Sequence, residues 1–405
     1  MKGSAHKLKD LKHIHFYEDL LEQAYNDLVR KAKDDGKTAV GYTCYYVPEV
    51  LLNVGDAFSV RLRAPNTGSL DISQYYMTSF ICGYARALVE RAFEGGYNFV
   101  DYWCSSDTCQ QMNRVVENIH ELKLIENEKF GHGIIDAPLK VSDHGLKHYM
   151  HQINVEFLEP LHEKYGIDIS DEAIRAAVKE HNEMCAIFEE ISKLRKEANP
   201  RITPREFHIL CLVSYACPTY LILPYLKETL EDLRTREADE KNNWRARLVV
   251  IGSELDDYAF SEIMESCRAY VVVDRYCFGS LPGRQRIPLK DDSPAFEQVC
   301  RFYLETNMCP RFMSQEKVHQ RHDEILRLAN EYNADGIVYE QAKFCDFWGY
   351  ERLIGPAYIK EKSDIPILTV DREYVISGSG QLMTRVQAFV ESIEIKKIRK
   401  ERGEA

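Results

Sequence analysis

Arg247-Leu248-Val249-Val250-Ile251-Gly252 and Tyr270-Val271-Val272-Val273-Asp274 are the two runs whose reading decides the fold. Both are short, continuous and rich in β-branched residues, with no polar alternation. Strands of this kind are buried on both faces, as in a parallel sheet covered by helices. Further along, Gly336-Ile337-Val338-Tyr339 and Pro366-Ile367-Leu368-Thr369-Val370 read the same way. Towards the start, Thr38-Ala39-Val40-Gly41-Tyr42-Thr43, Phe58-Ser59-Val60-Arg61-Leu62, Asn98-Phe99-Val100-Asp101-Tyr102-Trp103 and Gly133-Ile134-Ile135-Asp136 form a second set. Helical spacing over residues 82–94, 110–122 and 380–399 alternates with these runs, which is the pattern of parallel α/β sheets. Residues 140–240 differ. They are rich in His, Glu, Lys, Leu and Ala, and Ser170 stands as a helix N-cap ahead of acidic residues. The expected architecture is α/β: two Rossmann- or flavodoxin-like parallel-sheet domains with a helical insert between them. The expected boundaries are an N-terminal helical segment over 1–36, a first α/β domain over 37–139, the insert over 140–243, and a second α/β domain with a C-terminal helix over 244–405. One helix is expected over 8–33, stopped by Gly36.

The composition narrows the function. The 405 residues, 45% hydrophobic and 29% charged, suit a globular chain of two or three domains. Lysine plus arginine is 52 against 64 for aspartate plus glutamate, a net charge of −12, which argues against a nucleic-acid binder. No signal-like run opens the chain and no apolar stretch reaches membrane-spanning length, so a cytoplasmic setting with reduced thiols is expected. There is no Gly-x-x-x-x-Gly-Lys-Ser/Thr loop, so ATP hydrolysis would belong to a partner, and no HExxH-type histidine spacing.

The placement of the twelve cysteines says more than their number. Cys44, Cys104, Cys109, Cys277 and Cys345 all lie just past expected strands, where α/β sites are built. Cys185 and Cys211 sit in apolar helical surroundings and read as core thiols. Soft thiolates select zinc, copper(I) or iron–sulfur clusters. Cys104-x4-Cys109 is the one near pair, without the second pair of a structural zinc site and without a compact ferredoxin run. A cluster here would draw single cysteines from distant loops.

The sequences around those cysteines resemble a known family. Gly41-Tyr42-Thr43-Cys44 through Pro48-Glu49-Val50-Leu51-Leu52 is similar to the opening segment of the 2-hydroxyacyl-CoA dehydratases, a family that includes benzoyl-CoA reductase subunits and double-cubane cluster proteins. Phe80-Ile81-Cys82, then Asp101 with Thr108-Cys109-x-x-Met112-x-Arg114, then Asp335-Gly336-Ile337-Val338 through Lys343-Phe344-Cys345-Asp346 resemble the next three. Ile365-Pro366-Ile367-Leu368, Asp371-x-x-Tyr374 and Gly380-Gln381-Leu382-Met383-Thr384-Arg385-Val386-Gln387-Ala388-Phe389-Val390-Glu391 resemble the C-terminal signature. Five segments in order, over roughly residues 40–391, make the likeness specific.

The resemblance implies an oxygen-sensitive 4Fe-4S cluster on Cys82, Cys109 and Cys345, with one iron left open. Cys44 is a possible extra ligand and Cys309 a further one in a double-cubane arrangement. Gln110 stands where the family usually has Asp, which leaves Cys104 open as an alternative to Cys109. The implied activity is the radical elimination of water from a 2-hydroxyacyl-CoA. A separate ATP-dependent iron–sulfur activator supplies an electron, the thioester carbonyl becomes a ketyl radical anion that expels the 2-hydroxyl, and the electron is returned. A homologous second subunit, or a second copy, and an acyl-CoA thioester complete the implied partners. The alternatives are a benzoyl-CoA-type or double-cubane reductase, and a non-catalytic electron-transfer subunit. Glu49 is the candidate proton shuttle, with Thr43 and Tyr45 as candidate hydrogen-bonding groups for substrate. Arg284 and Arg286 are candidates for coenzyme A phosphates, and Gly378-Ser379-Gly380 for a phosphate at the final helix.

Overall fold

The computed structural model describes residues 10–238, 244–375 and 379–403. Eight strands form two four-stranded sheets. The first holds β1 (Thr38–Tyr42), β2 (Ala57–Arg61), β3 (Tyr102–Ser106) and β4 (Gly131–Ile135); the second holds β5 (Ala246–Gly252), β6 (Ala269–Tyr276), β7 (Gly336–Ala342) and β8 (Ile367–Arg372). Every pair is parallel. The spatial orders, β2-β1-β3-β4 and β6-β5-β7-β8, are one topology used twice. In such a sheet the chain departs in opposite directions from its two central strands, opening a crevice at their carboxyl ends. The crevices here lie past β1 and β3, and past β5 and β7.

The α/β expectation therefore holds, with two local differences. The N-terminal helix is two helices, Ile14–Leu21 and Asp27–Asp34. Asn26 breaks the run, its Oδ1 capping the second helix by accepting from Leu28 and Val29 N–H. The third strand begins at Tyr102 rather than Asn98. Residues 95–100 form turns instead, and Asp101 anchors the strand entry by accepting from Ala39 N–H at 2.8 Å. Cys104 thus lies inside β3, fully buried, and not in the loop beyond it.

The helices between the sheets complete the faces of the sheets. Helices Asp143–Ile153 and Asp171–Leu194 add Leu146, Tyr149 and Ile174 to a core that includes Val40, Tyr42 and Tyr102 of the first sheet. Ser170 caps the long helix, as expected, by accepting from Ala173 N–H. Helix Pro204–Ala216 is buried on all sides and packs on both β2 and β6, so it joins the two sheets. Its start is fixed by a capping box between Thr203 and Glu206.

One buried ion pair locks the long helix to the second sheet. Arg195 Nη1 meets Asp274 Oδ1 at 2.6 Å, its Nη2 donates to the Val271 carbonyl, and its guanidinium lies 3.7 Å from the Phe207 ring centre. Removing one member of such a pair strands the other charge, which costs about 3–5 kcal/mol. Asp274→Ala is therefore expected to lower the unfolding free energy by about that amount in urea titrations. A loss below about 1 kcal/mol would show that the pair is not holding the seam.

Candidate metal centre

Three helices start beside one another at the meeting of the two domains, and each begins on a cysteine. Cys82 is the N-cap of helix Gly83–Phe93, Cys109 of Gln110–Glu121 and Cys345 of Asp346–Lys362. Ser, Thr, Asn or Asp ordinarily holds that position and satisfies first-turn N–H groups. Here none of the three thiols completes a cap hydrogen bond. First-turn amides still pull each thiol's pKa down: Ala85 at Cys82, Met112 and Gln111 at Cys109, Trp348 at Cys345. The positive ends of three helix dipoles converge on sulfur, which favours thiolate.

Burial opposes that pull. It pushes Cys82 up to about 12, with the charge of Cys109 adding to it. Burial also raises Cys345, and Cys82, Cys109 and Cys309 raise it further. Cys109 is raised by burial first and then by Cys44 and Asp346. The three sulfurs thus lie pairwise within electrostatic reach. Buried neutral thiols that repel one another as thiolates are stabilised when a cationic core takes up their charge.

Three further cysteines, Cys44, Cys277 and Cys309, lie near the first three. Burial pushes Cys309 up to about 12 and Cys44 adds to it. Cys277 is raised by burial, then by Glu254, and also by Cys309 and Cys44. Cys44 Sγ lies 3.4 Å from Thr108 Oγ1, beside Cys109. Cys277 N–H donates to the Ser253 carbonyl at 3.1 Å, past the end of β5, and Cys309 N–H to Asn307 Oδ1 at 2.9 Å. Sequence reading singles out Cys44 and Cys309 but does not place Cys277 with them; its position after β6 is the available signal.

These residues fit an iron–sulfur core. The candidate donors are thiols alone, all of them free, and Cys44 and Cys309 lie within electrostatic reach of Cys109 and Cys345. Among the described residues no three His, Cys, Asp or Glu side chains close round a single metal ion. Buried polar atoms without a partner lie close to cysteines along the chain: Thr43 Oγ1 before Cys44, Asn307 Nδ2 before Cys309, Ser105 Oγ near the end of β3 and Gln341 Oε1 near the end of β7. Such atoms are normally partnered, and a bound group or water is the usual explanation where they are not.

Other expected residues are placed differently. Glu49 opens a short 3₁₀ turn, Glu49–Leu52, and pairs with Arg284 at 2.9 and 3.3 Å. Arg284 also donates from Nε to Ser214 Oγ and from Nη atoms to the Ser214 and Gly283 carbonyls, and it lies 3.8 Å from the Tyr215 ring centre. All five donors are engaged and none remains for a coenzyme A phosphate. Arg286 is exposed, paired with Glu189, and lines a cleft of about 660 Å³ with Lys193 and Lys196. Tyr45 gives its hydroxyl to Thr306 at 3.2 Å and stacks on Tyr303, while Thr43 is buried. Gly378 lies outside the described residues.

Glu254 carries no signal in the sequence. It follows β5 at Gly252-Ser253, and burial pushes its pKa up to about 7 although Arg61, 3.4 Å away, pulls it down. Its charge raises both Cys82 and Cys277, so it lies within electrostatic reach of both.

The model of the 2-hydroxyglutaryl-CoA dehydratase D-component family matches residues 44–393, and the chain belongs to that family. It is 23% identical over 388 residues to the (R)-phenyllactyl-CoA dehydratase beta subunit of Clostridium sporogenes, covering 93% of this chain and 97% of that one. It is 23% identical over 387 residues to a subunit of the benzoyl-CoA reductase of Thauera aromatica, covering 94% and 96%. With the (R)-2-hydroxyglutaryl-CoA dehydratase beta subunit of Acidaminococcus fermentans the identity is 22% over 370 residues, covering 90% and 95%.

Two outcomes test this geometry. A carboxyl raised in the folded state favours folding while protonated, so that contribution is lost as pH rises from the ordinary carboxyl range to about 7. Urea midpoints of the iron-free chain should fall over that window, and Glu254→Gln should flatten the fall; an unchanged slope would contradict the assignment. Arg284→Met should destabilise by about 3–5 kcal/mol because Glu49 is left buried and unpaired. Arg286→Ala should leave the urea midpoint essentially where it is, because its pair with Glu189 is exposed and screened by solvent.

Proposed function

We propose that this chain is an oxygen-sensitive iron–sulfur subunit whose two cysteine triads hold two cubanes, an oxidoreductase of the double-cubane kind within its family. What supports the reading is that Cys82, Cys109 and Cys345 begin three helices within electrostatic reach of one another, with Cys44, Cys277 and Cys309 close by. When bound, such a group supplies low-potential electrons and an open iron at which a substrate oxygen can bind. The chain's own residues do the rest. Three helix N-termini stabilise the added negative charge. Glu254 delivers or takes up a proton beside Cys82 and Cys277. Arg61, over the Phe278 ring at 4.1 Å and bonded to the Cys277 carbonyl, holds Glu254 in place.

The second reading is a single-cubane subunit of a 2-hydroxyacyl-CoA dehydratase, working with a homologous second subunit. Its support is the naming of relatives matched over nearly their whole length as dehydratase beta subunits. In either reading the chain acts in the cytoplasm with an ATP-dependent iron–sulfur activator, and an acyl-CoA thioester would lay its phosphates towards Arg286, Lys193 and Lys196. No helix of the described residues is long and apolar enough to cross a membrane.

Iron and acid-labile sulfide counted per chain after anaerobic purification separate the readings. About eight irons are expected for two cubanes. About four would turn the assignment to the dehydratase or benzoyl-CoA reductase subunits. None, from a strictly anaerobic preparation, would overturn both.

A further inference from the structure

The three helix-capping cysteines come from two domains, and one side chain reaches all three turns. Gln111 is the second residue of helix Gln110–Glu121, two positions past Cys109, and it is buried. Its Oε1 accepts from Cys82 N–H at 2.8 Å. Its Nε2 donates to the Phe344 carbonyl at 2.7 Å and lies 3.4 Å from a carboxylate oxygen of Asp346, on either side of Cys345.

The turn at Phe344 requires that support. Its φ is 68°, in the left-handed region that a bulky residue seldom occupies. This turn carries the chain from β7 into Cys345. The Phe344 ring is held from the other domain by an edge contact with Phe80, centres 5.6 Å apart, two residues before Cys82. The carboxamide serves both bonds at once, because it accepts from one backbone N–H while donating to one backbone carbonyl. A carboxylate would face the Phe344 carbonyl with lone pairs, and an aliphatic chain would satisfy neither group.

We propose that Gln111 is a positioning residue, a clasp across the domain seam that sets Cys82, Cys109 and Cys345 in register for a shared cluster. The inference rests on the cluster reading above. It adds that register comes from one interdomain amide, and that hydrogen bonding around the ligand loops, which tunes a cluster's potential, passes through it.

The test uses the full chain and the substitutions Gln111→Leu and Gln111→Glu. Amide exchange of the iron-free protein reads the clasp itself. Cys82 N–H is expected to exchange at least tenfold faster in Gln111→Leu and to stay protected in Gln111→Glu, which keeps the acceptor. Iron content, the EPR spectrum and the reduction midpoint of the anaerobic protein read its role. Both variants are expected to retain less than half of the wild-type iron, or to hold iron with shifted EPR g values and midpoint, while circular dichroism stays unchanged. Wild-type exchange at Cys82 in Gln111→Leu overturns the clasp. Wild-type iron, spectrum and midpoint in both variants overturn its role. Should Gln111→Leu fail to fold, Gln111→Glu decides by the same cluster readouts. An iron-free wild type overturns the cluster reading and this role with it, and the exchange result still shows whether the amide bridge exists.

Discussion

Three helix N-termini aimed at one patch of buried sulfur are the constraint on which the rest of this molecule depends. An N-cap residue normally satisfies first-turn amides with a short oxygen side chain. Cysteine does so poorly, and burial penalises its thiolate form, as the raised pKa values of Cys82, Cys109 and Cys345 record. The arrangement therefore leaves donors and dipoles without a matching negative charge. The proposed cluster, a cationic iron–sulfur core bound by the three thiolates and negative as a whole, would supply that charge. Each helix has its own packing partners, so the convergence of their starts is set by the fold as a whole.

The doubled topology explains how one seam gathers so many cysteines. Each sheet opens a crevice past its two central strands, and the helix Pro204–Ala216 packs on both β2 and β6. The first sheet contributes Cys44 and Cys109 from its central strands and Cys82 from the loop after β2. The second contributes Cys345 from β7, Cys277 from β6 and Cys309 from the crossover between β6 and β7. Glu254 leaves from the remaining central strand, β5. Buried ion pairs hold the surroundings rigid: Arg195 with Asp274, Arg284 with Glu49, and Arg372 with Glu340. Pre-set ligand loops of this kind lower the reorganisation that accompanies electron transfer at a metal centre.

What the sequence disclosed follows from how local each signal was. Continuous β-branched runs such as Val249–Ile251 and Val271–Val273 announce buried parallel strands without help from the rest of the chain. Asn98–Val100 misled because an apolar triplet reads alike in a turn and in a strand end. The cysteines stood out as candidate ligands through the segments around them, whereas the nearness of Cys277 to Cys44 and Cys309 depends on packing. Glu49 and Arg284 read as two separate polar residues because a buried ion pair between positions 235 apart leaves no trace in either local sequence. Gln111 and Glu254 were silent for the same reason: a carboxamide becomes a clasp, and a carboxyl rises to about 7, only through tertiary surroundings.

The central claim is that two cysteine triads share one interdomain seam and bind iron there. Anomalous diffraction at the iron edge, from crystals grown without oxygen, tests it most directly. The account predicts two neighbouring iron peaks, one enclosed by Cys82, Cys109 and Cys345 and the other by Cys44, Cys277 and Cys309. A single peak at the first triad would contradict the two-cluster claim and return the chain to the single-cubane subunits. Iron bound elsewhere, or none at all, would contradict the account entirely.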